Sequence, residues 1–120
     1  MPPKSSQRAE ISWEGDSREV LRGWSKAIRE DFGVSLNAMQ EGKPATLVVR
    51  PMPSIGASVF ELKDSDRSKW YRMVYLARVE NVIYVLHCFT KDTARTEKRD
   101  LATAERRLKE VRERLREERR

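Results

Sequence analysis

The chain holds one cysteine, one histidine and five glycines, which leaves little room for the commonest catalytic signatures. A lone thiol, Cys88, excludes an intramolecular disulfide and a cysteine-rich zinc site. No glycine-rich phosphate loop of the P-loop or dinucleotide-binding type is present. No cluster of metal ligands can be read either, so neither a metal nor a cofactor is expected. No apolar run approaches the roughly 18 residues that a membrane-spanning helix requires. Met1 to Glu10 carries Lys4 and Arg8 without an apolar stretch, which predicts no secretory leader. These absences predict a cytoplasmic chain with no membrane partner.

What is present is charge. Of 120 residues, 37% are charged and 38% hydrophobic, enough for one domain with a small core and a densely charged surface. Lys and Arg exceed Asp and Glu by 25 to 19, a net charge of +6. That balance favours a polyanionic partner. Between Lys98 and Arg120 there are ten basic and six acidic residues, so this segment supplies most of the excess. It reads equally as a solvated helix face or as a direct nucleic-acid contact.

Hydrophobic spacing orders the rest. Residues 1–8 are polar and proline-containing, and predict a disordered basic tail. Ile11 and Trp13 alternate with Ser12 and Glu14, a short strand. Gly15-Asp16-Ser17 is a turn that leads into an apolar stripe at helical spacing, Val20, Leu21, Trp24, Ala27, Ile28 and Phe32. Ser25 can cap a second helix after a break near Gly23, and Gly42 stops it. Lys43 to Gly56 reads as a loop with a short extended piece at Leu47 to Arg50. Three strands follow, at Ala57 to Lys63, Lys69 to Arg78 and Val82 to Phe89. Their short spacers imply antiparallel pairing. Finally Thr96 is placed to cap a long helix whose apolar residues, Leu101, Ala104, Leu108, Val111 and Leu115, form a heptad seam. Its first half is expected to dock and Arg112 to Arg120 to project or fray, with helix pairing in a partner complex as the alternative.

Strand parity sorts the chemistry. Val59, Glu61 and Lys63 share one face; Arg72, Val74, Leu76 and Arg78 share another; Val85, His87, Phe89 and Lys91 point one way. A concave sheet face carrying Lys63, Arg72, His87 and Lys91 could hold a phosphodiester. Such a group suits RNA cleavage by the strand's own 2′-hydroxyl, which needs a base, an acid and cations for the charged phosphorane. Arginine matches phosphate oxygens with its planar fork. The same residues also read as surface decoration, and His87, in an apolar stretch, as a core histidine. Trp70, Tyr71 and Tyr75 could stack on bases or simply pack.

The run Trp70-Tyr71-Arg72-Met73-Val74-Tyr75, followed by Val82-Ile83-Tyr84-Val85-Leu86-His87-Cys88-Phe89-Thr90-Lys91, resembles the signature of the phage-related HigB-like branch of the RelE/ParE toxin superfamily. Ile11 to Ser17 resembles that family's opening strand and turn, and Asp31-Phe32-Gly33 to Gly42 its second helix. Thr93-Ala94-Arg95-Thr96 and Arg107-Leu108 match its threonine-bearing loop and final helix. The resemblance implies an α+β, RelE-like fold. It would be a small, mostly antiparallel sheet with two N-terminal helices and a long C-terminal helix (β-α-α-β-β-β-α). Residues 9–111 would form the toxin domain and 112–120 a charged helical extension. It also implies a type II toxin–antitoxin toxin that cuts mRNA on the ribosome, a metal-independent endoribonuclease. The implied partners are a cognate antitoxin of helix-turn-helix type, the ribosome and mRNA.

The resemblance implies Arg72, Lys91 and Lys63 as catalytic residues and matches His87 to a family histidine with a catalytic or structural role; Arg95, Tyr75 and Arg67 are the candidate RNA contacts. Asp92 replaces the family's second lysine, and Glu97 its helix-starting proline. Two alternatives stay open: a non-cleaving inhibitor of the ParE type acting on a protein such as DNA gyrase, and a nucleic-acid-binding module that works through its basic helix.

Overall fold

Period-two and period-3.6 apolar patterns require one sheet with helices on its faces, and the computed structural model has that arrangement. It describes residues 7–91 and 97–119. The elements are β1 (Glu10–Trp13), α1 (Ser17–Arg22), α2 (Lys26–Gln40), β2 (Val48–Pro51), β3 (Val59–Ser65), β4 (Trp70–Val79), β5 (Val82–Lys91) and α3 (Glu97–Glu118). The strands form one sheet in the order β1-β5-β4-β3-β2. Neighbours from β2 to β5 are antiparallel, whereas β1 runs parallel to β5, with Trp13 opposite Val85. The α+β class and the mostly antiparallel sheet expected from the sequence are present. The extended piece before Pro51 is a true edge strand, and the parallel β1 pairing was not foreseen.

Local chemistry sets the helix ends. The Ser25 hydroxyl accepts from the Ile28 backbone N–H at 3.4 Å and starts α2. Gly42, at φ +79°, reverses the chain just beyond its end, a conformation that glycine adopts without Cβ strain. Glu80 and Asn81, both at positive φ, make the two-residue turn between β4 and β5.

The sheet is covered on both faces. On one, Trp24, Ile28, Phe32 and Leu36 pack against Leu62, Tyr71, Met73, Tyr75, Ile83 and Val85. Trp24 meets Phe32 and Tyr71 with ring centroids 5.2 and 5.1 Å apart. On the other, the heptad seam of α3, Ala104, Leu108 and Val111, buries Val59, Val74, Leu76, Leu86 and Phe89. Each fully buried side chain of this size contributes roughly 1.5–3 kcal/mol.

Three expectations are corrected. The end of α3 does not project: Leu115 packs on the same cluster, Arg112 donates to the Ala57 carbonyl, Arg114 to the buried Glu14, and Arg119 to Glu80. Arg78 leaves the face of Arg72 because the β4–β5 register shifts between Leu76 and Val79; it donates to the Gln40 carbonyl beside α2. Val85 and His87 lie on opposite faces, because a second shift at Val74/Tyr75 inserts Leu86 unpaired. Most of the predicted N-terminal tail, and the Thr96 cap, lie outside the described residues.

Candidate functional site

Alpha-helix α3 covers only part of its sheet face. Beyond its first turn, towards the β3–β4 turn, the same face carries Glu61, Lys63, Trp70, Arg72, Phe89 and Lys91. Register brings them together: Lys63 opposes Arg72, Arg72 opposes Phe89, and Trp70 opposes both Ser65 and Lys91. The sequence placed Lys63, Arg72, His87 and Lys91 on one concave face, and the register makes Lys63 and Arg72 direct cross-strand neighbours. Arg50 joins from β2, opposite Glu61.

The charges are layered. Arg72 is 7% exposed, and its Nη1 lies 3.4 Å from both oxygens of the fully buried Glu61. Lys63 and Lys91 are partly exposed and form the outer layer. The Lys63 ammonium sits 5.1 Å above the Trp70 ring. Glu61 neutralises the inner arginine, so the excess positive charge faces outward. Sequence reading did not single out Glu61; its place two residues before Lys63 on the same strand face was the available signal.

His87 marks the border between this patch and the α3 contact. It stacks on Phe89 at 5.1 Å, and its Nε2 lies 2.8 Å from Asp100 Oδ1. Arg107 reaches its Nδ1 at 3.3 Å, the Leu86 carbonyl at 3.0 Å and Asp16 at 2.9 Å. A guanidinium only donates, so Nδ1 is the acceptor and Nε2 carries the proton given to Asp100. Both ring nitrogens are therefore engaged, and His87 ties α3 to β5.

The other predicted contacts fall elsewhere. Tyr75 is buried on the opposite face, stacked on Phe60, and burial pushes its hydroxyl up to about 12. A phenol buried there stays protonated and does not meet the basic patch. Arg67 is exposed in the β3–β4 turn. Arg95 lies outside the described residues, as do Asp92 and the rest of that loop. The acids of the turn face inward or away. Asp66 accepts from the Ser68 and Lys69 backbone and from the Tyr71 hydroxyl, which hold its carboxyl well below the usual range. On the α2 side of the sheet, burial, then a hydrogen bond to Asp31 and its charge, raise Asp64 to about 6.

Among the described residues no group of three or more His, Cys, Asp or Glu side chains is arranged to hold a metal ion. What the patch can do is bind and polarise an anion with lysine and arginine.

A family model described as "Phage derived protein Gp49-like (DUF891)" matches residues 19–109. The chain belongs to the Gp49-like family. That is a RelE/HigB-type toxin family, and the matched span runs from α1 through most of α3. The fold is similar to that of a double arginine-to-alanine mutant of the E. coli toxin RelE in the free state. The TM-score is 0.50 at 20% identity, covering 76% of this chain and 88% of RelE. No curated protein matches the sequence. Membership implies an antitoxin partner for this Gp49-like toxin. Among the described residues, no helix is long and apolar enough to cross a membrane.

Proposed function

We propose that this Gp49-like toxin is a ribosome-dependent mRNA endoribonuclease, held inactive by a cognate antitoxin of helix-turn-helix type. The observation that carries the reading is the convergence of Lys63, Arg72 and Lys91 on the part of the sheet face that α3 leaves uncovered. A phosphodiester seated there meets Lys63 and Lys91 first, with the Arg72–Glu61 pair behind them. Attack by the 2′-hydroxyl on the adjacent phosphorus builds negative charge on the phosphoryl oxygens, and the cations stabilise it. The 2′ proton leaves with the attack, and the 5′-oxygen takes one as its bond to phosphorus breaks. Lys63 and Lys91 are the side chains of the patch that can take part in such proton transfer. In this reading His87 fixes β5 against α3, and Arg67 and Arg95 contact the backbone of the RNA.

Inducible expression in bacteria with mapping of mRNA 5′ ends tests the proposal. The wild type should arrest growth and create new ends inside translated frames. Lys63→Ala combined with Lys91→Ala should abolish both while the protein stays folded. This pair is a cleaner probe than Arg72→Ala, which strands the buried Glu61. Arrest without new ends would overturn the nuclease reading and point to a protein target, as for a ParE-type inhibitor.

A further inference from the structure

The chain has three tryptophans, and two of them pack: Trp24 is 9% exposed in the core, and Trp13 lies partly buried against the same cluster. Trp70 is 48% exposed. It is the one exposed aromatic among the described residues, and it sits on the basic face rather than on an apolar patch. We propose that Trp70 is a stacking platform for one base of a single-stranded RNA, beside the phosphate that Lys63 and Lys91 engage. This rests on the nuclease reading and adds to it a subsite for a nucleobase.

Three observations carry it. The first is position: Trp70 opens β4, and its cross-strand neighbour on β5 is Lys91, so a ring and a cation lie one strand apart. That is about the reach between a base and its own phosphate. The second is orientation. The Lys63 ammonium lies over one face of the indole at 5.1 Å, which fixes the ring while the remainder stays open to solvent. The third is charge. Lys69 precedes the ring and Arg67 lies in the same turn, whereas the carboxylate of Asp66 is spent on the turn's own N–H groups and on Tyr71. An exposed tryptophan also suits a protein interface, but a rim of cations whose nearest turn carboxylate, Asp66, is already hydrogen-bonded favours a polyanion carrying π-faces.

The test uses the full-length toxin with a labelled hexa-adenylate and the same sugar-phosphate backbone lacking bases, both at low salt. Trp70→Ala should weaken hexa-adenylate binding roughly tenfold or more and leave the base-free strand unaffected. Trp70→Phe should restore most of the loss, and Lys63→Ala should weaken both probes. Equal loss on both probes, or none on either, would overturn the stacking role, as would a wild type that binds both equally. The nuclease reading is judged separately by mRNA cleavage in cells, so a wild type that cleaves yet fails the base comparison loses only this inference. Trp70 lies at the surface, and unchanged thermal unfolding of the variants separates a binding defect from a folding one.

Discussion

At the scale of single residues, the Glu61–Arg72 pair decides how the patch behaves. Both partners are buried, so removing one leaves an unmatched charge in a poor dielectric. Glu61→Ala should cost roughly 3–5 kcal/mol in denaturant unfolding. Replacing both partners with apolar residues of similar volume should recover most of that loss while abolishing toxicity, a result that separates stability from function. Asp64 offers a second residue-scale prediction. Its folded-state pKa is raised from 3.8 to about 6 by burial, by a hydrogen bond to Asp31 and by that residue's charge. A raised carboxyl contributes stability that is full below its unfolded pKa and lost as pH rises through its folded one. The melting temperature should therefore climb as pH falls from about 7 to about 5. Asp64→Asn should flatten that slope and be the more stable protein at neutral pH. Asp66 acts with the opposite sign, its contribution being lost only at more acid pH, below its ordinary 3.8.

At the scale of elements, α3 is fastened along its length by unlike means. Its first half uses the seam residues Leu101, Ala104 and Leu108, whose spacing was legible in the sequence because apolar periodicity reports directly on burial. Its second half uses Val111 and Leu115 with arginines that reach a carbonyl and carboxylates in the turns and loops flanking the strands. Periodicity is silent about such contacts, so a charged helix end looks the same in sequence whether it projects or docks. Truncation after Val111 should therefore lower stability by roughly 1.5–3 kcal/mol, chiefly through the lost packing of Leu115, the half-exposed Arg114 adding less because solvent screens it. Circular dichroism melts would show it, and an unchanged melting temperature would mean the end contributes nothing to the fold. The strand faces were legible only in part. Alternation placed Val59, Glu61 and Lys63 together and allowed Lys63 and Arg72 to share a concave face, but it could not register β3 against β4 and so did not show the two directly opposed. Two register shifts in the β4–β5 ladder then moved Arg78 and Val85 off the faces that counting by twos assigns. Tyr75 is an aromatic that could stack on bases, but alternation already turned it away from Arg72, and its burial against Phe60 shows that it packs in the core.

At the scale of the whole molecule, the net charge of +6 is spread along α3 and around the patch. Binding to single-stranded RNA should weaken as salt rises, with a log–log slope set by the number of phosphates neutralised. Lys63→Ala should lower that slope by about 0.7, the value for one phosphate on a single strand. Substituting an arginine of α3 that already has a partner, such as Arg114, should change it less. Fluorescence titrations across a salt series would separate the two. The chain's family was legible because the strand signature and the element order agree over most of its length. Its longest-range feature was not: no local pattern in Ile11 to Trp13 announces a parallel partner beginning at Val82.

That pairing also fixes an order of events during synthesis. β1 must wait for β5, the last of the five strands, and the helix that roofs the second core follows later still. Contacts between distant parts of a chain form late, since loop closure precedes their reward. Until α3 is made, the second core lacks its roof and His87 lacks Asp100 and Arg107, so the basic face takes its final shape only after the helix beside it has docked.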